Sequence, residues 1–274
     1  MKEQAQELLR ILQRDLAAHN TLLPSLPEVA LRVRLLTSDP DCNIAQLEQE
    51  VAKDAVIAAR LVKVANSASL LRGNPVTSLR QAIANLGLNL VRSLVTQLAI
   101  LQTMQRRGDS PHMRDFVDVG LRISALCHTL ASHQTHLDPE LASLGGLLHN
   151  IGKLPLREFL GKRPELTLAE RNTLEQLLHP AVGAMMLRRW QMAEPLVQMA
   201  REHEKILRES GSPKADYVDI VIAANLLHYG TDTGRYARYA KMRIPALEKC
   251  TRQLDKDGLQ KSAEQRMELA LSLT

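Results

Sequence analysis

Aromatic side chains are scarce: Phe, Trp and Tyr together make up 3% of the 274 residues. The core therefore has to be built from Leu, Ala, Val, Ile and Met, a composition that favours helices. Cysteine is scarcer still. Cys42, Cys127 and Cys250 are odd in number and far apart, which argues against a disulfide framework and a thiolate zinc site and fits a reducing compartment. Long apolar runs are missing as well. The longest stretch without a charged residue, Ile123 to Leu137, carries His128, His133 and His136 and falls short of the roughly 18 residues of a membrane span. The opening Met1-Lys2-Glu3-Gln4 has no apolar core of a secretory signal, so a cytoplasmic protein without a membrane partner is expected. No charge of one sign dominates: Lys+Arg of 35 against Asp+Glu of 30 leaves +5, too small and too evenly spread to mark a nucleic-acid footprint by itself. With 45% apolar and 24% charged residues, the chain is of the ordinary globular class.

What is present is helical periodicity. Val51, Ala55, Ala58, Val62 and Ala65 recur at alternating steps of four and three and predict one face of an amphipathic helix. Leu79, Ala82, Ile83, Leu86 and Leu90 form a second stripe, preceded by Ser78 with Gln81 in a capping-box pattern. Further helix starts are Asn43 before Ile44, Asp138 before Pro139, and Thr167 with Glu170. Alternation of period two is absent, so the fold class is all-α, a helical bundle of about a dozen helices joined by short turns. The polar stretch Gln105-Arg106-Arg107-Gly108-Asp109-Ser110-Pro111 lies between two apolar blocks and predicts a boundary, with one helical part over 1–105 and another over 106–274. Eight of the 9 histidines follow that stretch, so chemistry belongs to the second part.

Within it, Leu147-Leu148-His149-Asn150-Ile151-Gly152-Lys153 delivers a His, an amide and a Lys at an apolar helix end. His179 follows in Leu178-His179-Pro180-Ala181-Val182-Gly183, and His203 in Arg201-Glu202-His203-Glu204. Three histidines placed at helical segments can converge. The plainer alternative is a set of buried, hydrogen-bonded rings fixing loop geometry. Lys153 is a candidate for a phosphate or other ligand, against a solvated lysine after a helix end. The run Gly234-Arg235-Tyr236-Ala237-Arg238-Tyr239-Ala240-Lys241-Met242-Arg243 interleaves cations with aromatics, a surface able to stack bases, against a solvated helix face. Nucleic acid is not the expected partner. Asn66-Ser67-Ala68 and Leu86-Gly87 are read as structural, the latter as a close approach of two helices, and Cys127 as a buried thiol.

Taken together, several segments resemble the HDOD family, the regulatory relatives of the HD and HD-GYP metal-dependent phosphohydrolases. They are Leu23-Pro24-Ser25-Leu26-Pro27-Glu28-Val29, Lys53-Asp54-Ala55, Ala65-Asn66-Ser67-Ala68, Leu79-Arg80-Gln81-Ala82-Ile83 and Leu86-Gly87 in the first half. The second half adds Gly146-Leu147-Leu148-His149-Asn150-Ile151-Gly152 and His179-Pro180-Ala181-Val182-Gly183-Ala184, with Trp190 beyond. The resemblance implies a bacterial, helical signalling protein, its amino-terminal subdomain packed on an HD-like one, with no established enzymatic activity. It also implies a degenerate metal site. His149, His179 and His203 match ligand positions of the catalytic relatives, whereas Asn150 stands where those have Asp and Asn225 where a late helix supplies Asp. Glu202-His203-Glu204 replaces a His-His-Glu, Val117-Asp118-Val119 lacks an early His, and Glu209-Ser210-Gly211-Ser212-Pro213 lies where Gly-Tyr-Pro would mark a cyclic-dinucleotide hydrolase. Loss of anionic oxygens removes what a hard divalent ion needs. A single divalent metal on the three histidines, with Glu202 or Glu204 as the carboxylate, is the remaining cofactor option.

The expected function is thus a non-enzymatic signal-transduction module that binds a partner protein or a small ligand, a nucleotide among them, through the degenerate site. Its alternative is a residual metal-dependent phosphohydrolase acting on a nucleotide or phosphodiester.

Overall fold

The computed structural model of this chain describes residues 7–11, 14, 26–67, 70, 75–106, 111–252 and 264–265. Leu23-Pro24-Ser25, Ala68 and residues 107–110 of the expected boundary lie outside them. The long regular elements among the described residues are all helices, as composition and period predict. In order they are α1 (Glu28–Thr37), α2 (Ile44–Val51), α3 (Ala55–Ala65), α4 (Leu79–Leu86), α5 (Leu88–Arg106), α6 (Pro111–Ser132), α7 (Pro139–Leu148), α8 (Lys153–Gly161), α9 (Leu168–Arg189), α10 (Glu194–Glu202), α11 (Tyr217–Tyr229), a 3-10 helix (Gly234–Tyr239) and α12 (Pro245–Thr251). No single helix among them is long and apolar enough to cross a membrane.

The described residues form two compact units, one from 26 to 144 with 264–265 and one from 145 to 252 with 7–11 and 14. The chain passes between them inside α7, at Leu144 and Gly145, and not at the 105/106 boundary that composition predicts. Helices α5 and α6, on either side of that polar stretch, belong to the same unit and pack together. Ser124 and Ser143 share a hydrogen bond of 2.8 Å, tying α6 to the first part of α7. A polar stretch in the sequence need not coincide with a change of core.

In the first unit, side-chain caps decide where helices begin. Asn43 and Gln46 complete a capping box at α2, and Asp54 accepts from the backbone N–H groups of Val56 and Ile57, each at 3.0 Å. The Asp54 cap breaks the helix predicted to run through 51–65. Val51 ends α2, and the buried face of α3 is Ile57, Leu61, Val64 and Ala65 rather than Ala55, Ala58 and Val62. Ser78 accepts from Gln81 N, but the Gln81 side chain returns to Thr77 N, so the predicted box is completed one residue early. Gly87 has φ 78°, and a Cβ there would meet nothing within 4 Å. It turns the chain from α4 directly into α5 and does not serve helix approach; the stripe ending at Leu90 is cut there. Asn66 is structural, its side chain donating to Val76 O and accepting from Val76 N, both at 2.8 Å. Cys127 is buried.

The second unit packs α8 on α9, α9 on α10, α10 on α11 and α11 on α12. Leu156, Phe159, Leu160, Leu174, Leu178 and Val182 form one apolar cluster, and Ile206, Val218, Ile222, Leu226, Tyr236 and Ile244 another. Each such side chain contributes about 1.5–3 kcal/mol. Gly152 lets the start of α8 reach α9: a Cβ on it would lie 2.2 Å from His179 O and 2.4 Å from Gly183 N. That backbone contact brings the turn carrying His149 against the turn of α9 carrying His179.

Candidate functional site

Each of the three histidines is anchored through Nδ1 to its own helix. His149, just past α7, lies 2.7 Å from Gly146 O; His179 lies 3.0 Å from Glu175 O, one turn back in α9; His203, the residue that caps the end of α10, lies 2.9 Å from Ala200 O. A carbonyl oxygen only accepts, so every Nδ1 donates and every neutral ring presents an Nε2 lone pair. The rings gather there, with centroids 4.9 Å apart for His149 and His203 and 5.1 Å for His179 and His203. All three are buried.

What these lone pairs meet differs. Asn150 Nδ2 donates to His149 Nε2 at 2.8 Å, leaving Asn150 Oδ1 buried without a hydrogen-bond partner. His179 Nε2 and His203 Nε2 face each other at 3.1 Å. Two lone pairs at that distance repel, so this is a place where positive charge is favoured. Glu204 supplies the countercharge, its Oε1 lying 3.6 Å from His179 Nε2 and 3.5 Å from His203 Nε2. Burial, then the charge of His203, lowers the pKa of both His149 and His179. Burial acts to raise that of Glu204, but its pairing with His203 and Arg235 outweighs this and holds it well below the usual carboxylate range.

The same carboxylate oxygen takes a hydrogen-bonded ion pair from Arg235. Arg235 is placed by the 3-10 helix, its guanidinium 4.8 Å from the ring centre of Tyr236 and 5.6 Å from that of Tyr229, close enough for cation–π attraction. Lys153, at the start of α8, is only 8% exposed. Burial, and next the charge of Arg235, pushes its pKa down to about 8. Among the described residues no carboxylate lies within ion-pair distance of its ammonium. The nearest acid–base alternative is already spent, since Glu175 is held by both Arg157 Nε and Nη2, at 2.7 and 3.1 Å.

The fold thus gathers His149, Asn150, His179, His203 and Lys153 around one place. Glu202, the carboxylate offered from sequence beside Glu204, is elsewhere: it pairs with Lys205 at 3.2 Å and Arg208 at 3.3 Å. Past the end of α10 the chain turns, and only Glu204 faces the rings. Asn225 is buried on α11, donating Nδ2 to Val221 O, with Oδ1 unpartnered. The basic run is not a uniform solvated face. Arg235 is held by Glu204 and Arg243 by Glu248 at 2.9 Å, while Tyr236 is buried with an unpartnered hydroxyl. Sequence reading singled out Arg235 for a nucleic-acid surface and missed its place here. Its contact with Glu204 joins residues 31 apart, a separation that no helical period announces.

Comparison with known proteins agrees with this architecture. The HDOD domain family matches residues 23–206. A provisionally named metal-dependent phosphohydrolase from Shewanella amazonensis SB2B has the same fold, with TM-score 0.75 and 24% identity over 97% of this chain and 99% of that one. An HDOD domain protein of unknown function from Geobacter sulfurreducens superposes with TM-score 0.63 and 23% identity, over 92% of each chain. A provisionally named signal transduction protein from Marinobacter aquaeolei VT8 gives TM-score 0.61 and 22% identity over 93% of this chain and 61% of its own. An uncharacterized protein of Treponema pallidum (strain Nichols) is 22% identical over 200 residues, 67% of this chain but 38% of the relative, so the chain spans well under half the length of that protein. With the family match running through both units, from the start of α1 to the residues beyond His203, the chain belongs to the HDOD domain family.

Proposed function

We propose that this chain is a non-enzymatic regulatory module of bacterial signal transduction, acting in the cytoplasm, in which a degenerate hydrolase site binds a partner protein or a small ligand. The observation that carries this reading is the hydrogen bond from Asn150 Nδ2 to His149 Nε2. An aspartate at that position would leave the ring nitrogen free for an ion and add an anionic oxygen; the amide consumes the lone pair and adds no charge. Asn225 is neutral for the same reason. Hard divalent ions are held by several anionic oxygens, and Lys153 adds positive charge beside the rings. These residues do not fit a divalent centre built on His149. Lys153 is the residue offered to a ligand. The name of the Marinobacter relative is consistent with a signalling setting.

A second reading, the residual phosphohydrolase, has one observation in its favour. The ligand atoms of His179, His203 and Glu204 lie within 4.8 Å of one another, a spacing suited to a single divalent ion. Elemental analysis of untagged protein purified without chelator, run beside a phosphodiester turnover assay and a His179→Ala control, separates the two. The regulatory reading expects substoichiometric metal that the control does not change, and no turnover. Stoichiometric iron, zinc or manganese that vanishes in the control, together with turnover, supports the hydrolase.

A further inference from the structure

We infer that Arg235 occupies the place of the cation at His179, His203 and Glu204, and that the site therefore takes a phosphate-bearing anion through Arg235 and Lys153 rather than a divalent metal. This deepens the regulatory reading and rests on it for the site, while concerning the chemistry of the ligand.

The argument begins with Glu204, whose Oε1 faces both ring nitrogens and is the carboxylate of the candidate metal cluster. That oxygen is engaged by Arg235 Nη2, which balances its charge without an ion. Arg235 is exposed, but its guanidinium is braced on one side. It lies against the Tyr229 and Tyr236 rings, themselves 6.0 Å apart, and Tyr236 is anchored in the apolar cluster beneath α11. Planar guanidinium groups held in this way are pre-organised for a fork of parallel hydrogen bonds.

Charge then selects the ligand. Arg157 and Glu175 neutralise each other. Lys153 and Arg235 against Glu204 leave an excess of one positive charge. A divalent ion would raise that excess further, whereas a phosphoryl group would cancel it. Lys153 has no carboxylate partner among the described residues and is more than nine-tenths buried, a state that an anion relieves. Arg235 uses only Nη2 on Glu204 and retains its other N–H donors, so the guanidinium can bridge the carboxylate and a phosphate oxygen.

The test uses the full chain and two variants, Arg235→Gln and Glu204→Gln, each titrated with inorganic phosphate by calorimetry and with zinc by chelator competition; thermal melting confirms that each is folded. The wild type is expected to bind phosphate and to take no stoichiometric zinc. Arg235→Gln should weaken phosphate by about tenfold or more and open Glu204 to zinc. Glu204→Gln, which frees the guanidinium, should strengthen phosphate binding, a result that a merely structural ion pair would not give. Stoichiometric zinc in the wild type that Glu204→Gln abolishes, or phosphate binding that is absent or indifferent to Arg235, overturns the inference. Phosphodiester turnover by the wild type would instead overturn the regulatory reading, and it is scored separately from the two titrations.

Discussion

Lys153 is the residue that the fold tolerates at a cost. A lysine ordinarily titrates near 10.5, and here burial brings it to about 8. At neutral pH the folded protein therefore carries a charged group in a place that disfavours charge, a loss of about 3 kcal/mol. Lys153→Met keeps the aliphatic stem and removes the charge, so it should stabilise the protein by about 1–3 kcal/mol in urea unfolding near pH 7 while abolishing phosphate binding. Between pH 10.5 and about 8 the folded ammonium has lost its proton while the unfolded lysine keeps it. The unfolded state binds more protons there, so this group's contribution to stability rises with pH across that window. Lys153→Met should remove the rise; a variant no more stable than the wild type, with the same pH slope, would show that burial of Lys153 is already compensated. The histidines were legible in sequence because each stands in a short motif at a helical segment. Lys153 was legible as a ligand candidate, but its burial was not, since that depends on Arg235 and on the packing of α8 against α9.

At the scale of helices, polar caps carried the most information. Asn43, Asp138 and Thr167 all stand immediately before helices that begin where sequence places them. The error over residues 51–65 came from trusting the apolar period past a second cap, that of Asp54, within a continuous apolar pattern. Asp54→Ala should cost about 1 kcal/mol in chemical denaturation, because two N–H groups at the start of α3 lose their acceptor. Glycine was legible as a marker but not in its role. Gly87, expected to serve packing, serves a turn, whereas Gly152 provides the close approach. Gly152→Ala should destabilise the protein by about 3 kcal/mol or more, since its Cβ would strike backbone atoms of His179 and Gly183 that cannot move independently. Gly145→Ala is the comparison: its Cβ would meet the flexible end of Met199 at 2.1 Å, and a loss nearer 1 kcal/mol is expected. Equal losses for the two would mean that the α8–α9 crossing is not held by backbone contact at Gly152.

For the molecule as a whole, the buried titratable groups concentrate in the unit of residues 145–252, and acid should find it first. His149 and His179 have pKa values held below 6.5, by burial and then by the charge of His203. As pH falls below 6.5 the unfolded chain takes a proton on each ring and the folded chain does not, so stability falls by up to about 1.4 kcal/mol per pH unit for each ring. The carboxylates act later. Burial tends to raise Asp216, but Arg208, with Nη2 2.6 Å away, more than offsets it, and Glu204 is likewise depressed. Their stabilisation is present above the ordinary values of 3.8 and 4.5 and is lost as pH drops through the lower folded values. Trp190, the chain's 1 tryptophan, is buried at the end of α9 in this unit, so its fluorescence follows the relevant helices. Urea titrations read at Trp190 should show a midpoint that falls steadily from about pH 7 to about pH 5, before the carboxylates contribute. His149→Leu should flatten that dependence by roughly half, since one of two non-titrating rings is replaced by a group that binds no proton in either state. A midpoint independent of pH over this range would mean that the folded and unfolded chains take up the same number of protons, so that burial does not hold the rings neutral.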